Sequence, residues 1–103
     1  MTETTLQLDG RLESTTVPAF ELRLSEASLL GNERLLIDMS RVSFVGSAAL
    51  RAILVAAKRL GASGGRLAIF APPPIAQIFS VSGLDSVLPV HVSLSQAREA
   101  LAG

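Results

Sequence analysis

The chain has 103 residues, which fits one compact domain rather than two. Hydrophobic residues make up 49% of it, enough for a core, and because aromatics are only 4% that core must be aliphatic. Nine basic and nine acidic residues cancel, which argues against nucleic acid or an anionic membrane as a general partner, and the absence of cysteine excludes disulfides and thiolate chemistry.

The N-terminal residues 1–5 lack the basic start and apolar centre of a secretory signal. No apolar run reaches the roughly 20 residues that cross a bilayer. We therefore expect a soluble, cytoplasmic domain that neither inserts into membranes nor contacts nucleic acid directly, and that needs no cofactor.

The first third of the chain predicts a strand followed by a helix. Residues 4–8 alternate polar and apolar, and Asp9-Gly10 predicts a tight turn or bulge where glycine tolerates positive φ. Hydroxyl residues at 14–16 are N-cap candidates, and Pro18 suits the first helical turn. The helix is predicted to end at a Gly31-Asn32 C-cap.

The middle third predicts a buried strand and a second helix. Residues 34–39 are almost continuously apolar, which is typical of a central strand covered on both faces, and Ser40-Arg41 is expected to turn the chain. The second helix is predicted over 47–60, with Gly61 just beyond it as a stop signal.

The last third predicts two short strands and two short helices. Residues 66–71 form a strand that three prolines end, and 87–92 form a weak strand that Pro89 confines to an edge. Ser93 or Ser95 caps a final helix. The alternating order predicts one α/β domain over 1–103, with a largely parallel sheet and helices packed on it.

The second helix carries a predicted surface. At about 100° per residue, one arc should face the sheet and holds Leu50, Ile53, Leu54, Ala57 and Leu60. The opposite arc has small and apolar residues flanked by cations, namely Ala48, Arg51, Ala52, Val55, Lys58 and Arg59. An ordinary solvated face and a docking strip for an acidic partner both explain this arc, and spacing alone slightly favours the solvated face.

Ser47 opens the second helix and also has two interpretations. As an N-cap, its hydroxyl would stabilise the helix by about 1 kcal/mol. As a phosphorylation site, it would carry roughly −1.5 to −2 charges, which a helix N-terminus tolerates and an acidic or apolar partner surface repels. Spacing does not choose between them.

No catalytic set is present in the sequence, so we expect a binding module rather than an enzyme. His91 is the only histidine and has no cysteine to complete a metal site, so no metal is expected. A triad of Ser47, His91 and an aspartate would lack the Gly-x-Ser-x-Gly elbow, and residues 61–65 lack the lysine-serine pair of a phosphate-binding loop.

Three local motifs follow one another in the chain. LDGRLE at 8–13 precedes the first helix, LIDM at 36–39 leads into VSFVGSAAL at 42–50, and IFSVSGL occupies 78–84. Each motif is loose, but the set in this order and spacing resembles the STAS domain family, and within it the bacterial anti-sigma-factor antagonists.

The resemblance implies a single α/β domain with a mixed, mostly parallel sheet of four to five strands and about four helices. It also implies that the domain binds a kinase-type anti-sigma factor, releases a sigma factor, and is switched off when that serine kinase phosphorylates the helix start. Ser47 matches the phosphorylated position, and Glu13 matches the family's acidic position in the neighbouring loop. Together with the docking strip, this predicts partner contacts at Glu13, Gly46, Ser47, Ala48, Arg51, Ala52 and Val55.

Two residues depart from the family pattern. Gly46 stands where an aspartate usually precedes the serine, and Ala49 replaces the usual glycine. Because the missing carboxylate is one that would orient the hydroxyl or a kinase's metal, the second hypothesis is an unphosphorylated STAS adaptor in a transport or signalling assembly. The short N-terminus leaves few residues for the family's additional first strand, so an exposed edge strand is expected to offer a homodimer contact.

Overall fold

The computed structural model describes residues 3–28 and 34–102, which alternate strand and helix. Its elements are β1 (Glu3–Leu12), α1 (Val17–Ser28), β2 (Arg34–Val45), α2 (Ser47–Ala62), β3 (Arg66–Phe70), α3 (Pro73–Val81), β4 (Val90–His91) and α4 (Leu94–Ala102). A single 3-10 turn, Leu84–Ser86, joins α3 to β4. The predicted α/β order is confirmed.

The four described strands form one sheet in the order β1-β2-β3-β4, and all three pairings are parallel. β4 lies at one edge, as predicted, but it spans only Val90–His91 rather than 87–92. Pro89 has no N–H to continue the ladder and contributes only its carbonyl, which accepts a hydrogen bond from Ile69 at 2.9 Å. β1 occupies the other edge.

Strand β2 is the centre of the core. Leu35, Leu36 and Ile37 are all fully buried, so both faces of the strand are covered, as the apolar run predicted. One face packs with α1 and α2 in the larger cluster, which includes Phe20, Ile37 and Ile53. The other face packs Leu36 and Ala68 with Ala97 and Leu101 of α4.

The expected turn at Ser40-Arg41 is wrong, because β2 continues to Val45. Its second half pairs with the second half of β1, where Asp9 lies opposite Arg41 and Leu12 opposite Val45. Register shifts lie on either side of Asp9-Gly10, and at each of them β2 contains one more residue than β1. Gly10 has a φ of 71°, the positive value that the sequence predicted, but Asp9-Gly10 lies inside a longer strand and is not a turn that ends one.

The helix ends differ from prediction in two places. The helix α2 runs through Gly61 to Ala62, and Ser63 is its C-cap. The left-handed residue that ends the helix is Gly64, with a φ of 88°. At the start of α1, Thr16 is one of the predicted N-cap residues. Its hydroxyl instead donates to the Arg11 carbonyl at 2.7 Å, so it bonds to the preceding turn. The predicted Gly31-Asn32 cap lies outside the described residues.

The inward face of α2 is rotated relative to the face that its apolar spacing predicts. Leu50, Ile53 and Leu60 are buried as expected, but Ala49 and Ala56 are buried too. Leu54 and Ala57 are only half-buried. The reason is that α2 packs against α1 as well as the sheet, so its buried arc is rotated toward α1.

Gly10→Ala and Gly61→Ala should change stability in opposite directions. An added methyl meets no atom within 4 Å at either position, so backbone conformation alone decides the sign. At Gly10 the left-handed φ should cost about 1–2 kcal/mol, whereas in the interior of α2 the alanine should gain about 0.5–1 kcal/mol. Urea unfolding of both variants measures this, and a gain in stability at Gly10 would contradict its left-handed backbone conformation.

Candidate functional site

The entrance to α2 is fixed to the end of β1. Gly46 joins β2 to α2, and its N–H donates to the Leu12 carbonyl at 2.8 Å. Its own carbonyl accepts the first helical hydrogen bond, from Leu50 at 3.1 Å. The loop that follows Leu12 therefore lies directly beside the helix start.

Ser47 is exposed and is the first residue of α2. The N-cap is Gly46, in an extended conformation, so the capping interpretation of Ser47 is wrong. The hydroxyl thus lies at the positive end of a helix of 16 residues, open to an approaching molecule.

Glu13 is brought next to this entrance. A methyl built on Gly46 would lie 3.8 Å from the Glu13 Cα, so the two predicted contact residues are neighbours. Thr16 and Val17 donate their N–H groups to the Glu13 carbonyl, each at 2.9 Å, which holds this loop residue in place. The site therefore combines an exposed hydroxyl with a carboxylate from a second loop.

Arg11 and Phe44 border Glu13 and were not predicted as site residues. The guanidinium of Arg11 donates to Glu13 Oε2 at 3.1 and 3.2 Å and stands 4.5 Å over the Phe44 ring. Register explains the contact, since Arg11 and Phe44 are partners across β1 and β2. The sequence held no signal for this contact because it depends on the register shifts between β1 and β2.

The backbone conformation at position 46 does not require glycine. Its φ of −87° and ψ of 172° are accessible to any residue. An added Cβ would contact Phe44 Cε2 at 3.5 Å and the Leu12 carbonyl at 3.6 Å, both ordinary packing distances. The local structure would thus accept the aspartate that the family pattern places here.

The predicted docking strip forms one wall of a groove. Ala48, Arg51, Ala52 and Val55 line it along α2, and Val55 is 43% exposed although apolar. The groove holds about 280 Å³. Ala52 is half-buried against the core, while Lys58, which we placed on the same arc, is exposed but does not line the groove.

The other wall of the groove comes from α1, and the sequence did not predict that α1 takes part. Glu21, Leu24 and Ser25 line it, together with Ala56 and Arg59 of α2. Amphipathic spacing identifies the outward face of each helix separately. It does not reveal that two outward faces meet, because that depends on which strands are neighbours.

The remaining candidates do not gather into a site. His91 is half-buried on β4, and its Nε2 has no hydrogen-bond partner within the described ranges. Asp38 is engaged locally, where its Oδ1 accepts from the Ser40 N–H at 2.9 Å. Among residues 3–28 and 34–102, no helix is long and apolar enough to span a bilayer.

Comparison with known proteins identifies the class. A family model described as "Mlab, STAS domain" matches residues 2–96, which is most of the chain. The chain therefore belongs to the STAS domain family, as its three motifs predicted. The Bordetella bronchiseptica protein named "Putative anti-sigma factor antagonist BtrV" is 31% identical over 96 residues, which cover 92% of this chain and 79% of that protein.

Solved structures share the fold. The crystal structure of an anti-sigma factor antagonist from Mycobacterium paratuberculosis matches with a TM-score of 0.89 at 25% identity, covering 98% of this chain and 86% of that one. Unphosphorylated SpoIIAA matches with a TM-score of 0.76 at 23% identity, covering 99% and 90%. Its phosphorylated form from Bacillus matches at 0.66 and 23%, covering 94% and 88%. At these identities, SpoIIAA supports the fold alone.

Ser47→Ala should leave stability nearly unchanged. Because Gly46 holds the cap position, the variant should stay within about 0.5 kcal/mol of the wild type. Loss of a true N-cap would instead cost about 0.5–2 kcal/mol. Urea unfolding monitored by circular dichroism separates the two outcomes, and a loss above 1 kcal/mol would mean that the hydroxyl caps the helix after all.

Proposed function

We propose that this chain is an anti-sigma factor antagonist that docks on a kinase-type anti-sigma factor through the entrance and outer face of α2, and that phosphate on Ser47 ends the binding. The observation that carries the proposal is the exposed position of Ser47 at the first residue of α2, next to Ala48 in the groove wall. A phosphate added there changes the docking surface directly and needs no conformational relay.

The electrostatics of α2 support this switch. The helix carries Arg51, Lys58 and Arg59 and has no acidic residue between Ser47 and Ala62. Such a surface attracts an acidic partner and speeds its encounter. A phosphate of roughly −1.5 to −2 charges at the same helix would offset most of this attraction, while the free N–H groups of the first turn stabilise the phosphate itself.

The relatives support the same proposal. The protein from Bordetella bronchiseptica and the structure from Mycobacterium paratuberculosis are both named as anti-sigma factor antagonists. SpoIIAA, a further anti-sigma factor antagonist with this fold, exists in phosphorylated and unphosphorylated forms. An exposed serine at the start of α2 gives this chain a residue suited to the same chemistry.

A second function, a STAS adaptor that is never phosphorylated, is favoured by Gly46. Glycine provides no carboxylate beside Ser47 to orient the hydroxyl or a kinase's metal. Glu13 is the nearest acidic residue that we identified at the entrance, and it is held by Arg11. The adaptor would use the same strip on α2, so only the chemistry of Ser47 distinguishes the two functions.

A homodimer through an exposed strand remains a prediction. β1 is a ten-residue strand at the edge of the described sheet, with β2 as its described neighbour. Unpaired backbone groups along such an edge can pair with another chain. Docking through α2 does not require this contact.

Incubation with Mg-ATP and the kinase-type anti-sigma factor encoded by a neighbouring gene should add one phosphate, located on Ser47 by mass spectrometry. Ser47→Asp should weaken capture of that partner by about tenfold or more, because a negative charge then faces an acidic surface. Ser47→Ala, which stays neutral, is the matched control and should bind normally. If no phosphate is added and Ser47→Asp binds normally, the phosphorylation switch is wrong and the adaptor function is favoured.

Gly46→Asp tests the same switch by adding the carboxylate that the family pattern places beside Ser47. The carboxylate fits without backbone strain, and it should also cap α2, adding a few tenths of a kcal/mol to stability. We expect faster phosphorylation of Ser47 in this variant, measured as initial rates with the same kinase. An unchanged rate would show that Glu13 or the partner already supplies the orienting group.

Val55→Glu should abolish partner capture. It places a charge on the exposed large apolar residue of the strip. An interface would exclude water from this position, and a buried unpaired charge costs several kcal/mol. Val87→Glu makes the same change at a residue that is 63% exposed, beyond α3, and should leave capture intact. Pull-down of the anti-sigma factor measures both variants, and normal capture by Val55→Glu would exclude the strip as the docking surface.

A further inference from the structure

We infer that the groove between α1 and α2 receives an apolar side chain from an acidic segment of the partner, so that α1 forms part of the docking surface. This inference rests on the proposed function and extends it from one helix to two. It identifies the occupant by its chemistry: an apolar anchor flanked by carboxylates.

The size and floor of the groove suit a single side chain. Its volume is about 280 Å³, close to the lower end of the roughly 300–1,000 Å³ that is typical of small-molecule pockets. Leu24 and Ala56 at its floor are buried, and Ala52 is half-buried, so an inserted group meets apolar atoms. Small residues on α2 leave room for one anchoring side chain of the kind that dominates interface energetics.

The charges along the groove indicate an acidic occupant. Arg51 and Arg59 both line it, and at about 1.5 Å per residue they lie about 12 Å apart along α2. Within the described part of the chain, neither forms a salt bridge, and Glu21 across the groove is paired with neither of them. Two unpaired guanidinium groups beside an apolar floor complement carboxylates on either side of an apolar anchor.

The groove also connects the occupant to Ser47. Ala48 lines the groove and directly follows Ser47 in α2. A phosphate on Ser47 would therefore stand at the end of the groove, close to the carboxylates of the bound segment. Repulsion between these negative charges would then release the anchor even though the groove itself keeps its shape.

The test measures binding of the same anti-sigma factor to the full chain by biolayer interferometry, at low and high ionic strength. Ser25→Phe fills the groove from the α1 wall, and Ala19→Phe adds the same ring at an exposed α1 position outside the groove. Arg59→Glu reverses a groove charge, and Arg66→Glu makes the same change at the start of β3, an exposed position outside the groove and outside α2. Circular dichroism confirms that each variant is folded.

We expect Ser25→Phe and Arg59→Glu each to weaken binding by about tenfold or more, with a smaller salt dependence for Arg59→Glu, while both controls stay within about threefold. If both groove variants bind like the wild type while Val55→Glu loses capture, the groove inference is wrong and the proposed function stands. If the wild type itself does not bind the anti-sigma factor, both fail. Should Ser25→Phe not fold, the comparison of Arg59→Glu with Arg66→Glu decides.

Discussion

The parallel pairing of β1 with β2, closed by the hydrogen bond from the Gly46 N–H to the Leu12 carbonyl, is the constraint on which the site depends. Because the strands are parallel, both end at the same edge of the sheet, and the helices that follow them start there together. The loop carrying Glu13 is thereby placed beside the start of α2. The same pairing makes α1 and α2 neighbours, so a groove forms between them.

The helix α2 serves the core and the surface with different residues. Ile53 and Leu60 are fully buried against the sheet, which fixes the position of the helix. Ser47, Arg51 and Val55 remain exposed on the other side. A partner can therefore contact the exposed residues, and a phosphate can modify them, without disturbing the burial that stabilises the domain. The proposed switch at Ser47 would require this separation.

Much of this arrangement could be predicted from local sequence. The apolar run of β2, the helical period of α2 and the three motifs predicted the fold, the family and an exposed Ser47, because each depends on residues close together in the chain. Three features could not be predicted from the sequence, because each depends on how distant segments pair. The register shifts between β1 and β2 place Arg11 beside Phe44, the strand order joins α1 to α2, and the length of β2 depends on its pairing with β1 rather than on its own Ser40 and Arg41.

The open, unstrained backbone at Gly46 has an evolutionary consequence. Half of the glycine codons become aspartate codons by a change of their middle base alone. Since the position accepts a Cβ at ordinary packing distances, a lineage could gain or lose the carboxylate there without first rebuilding the fold. Constitutive and kinase-controlled versions of this domain would then be adjacent in sequence space, and selection on signalling, not on folding, would decide between them.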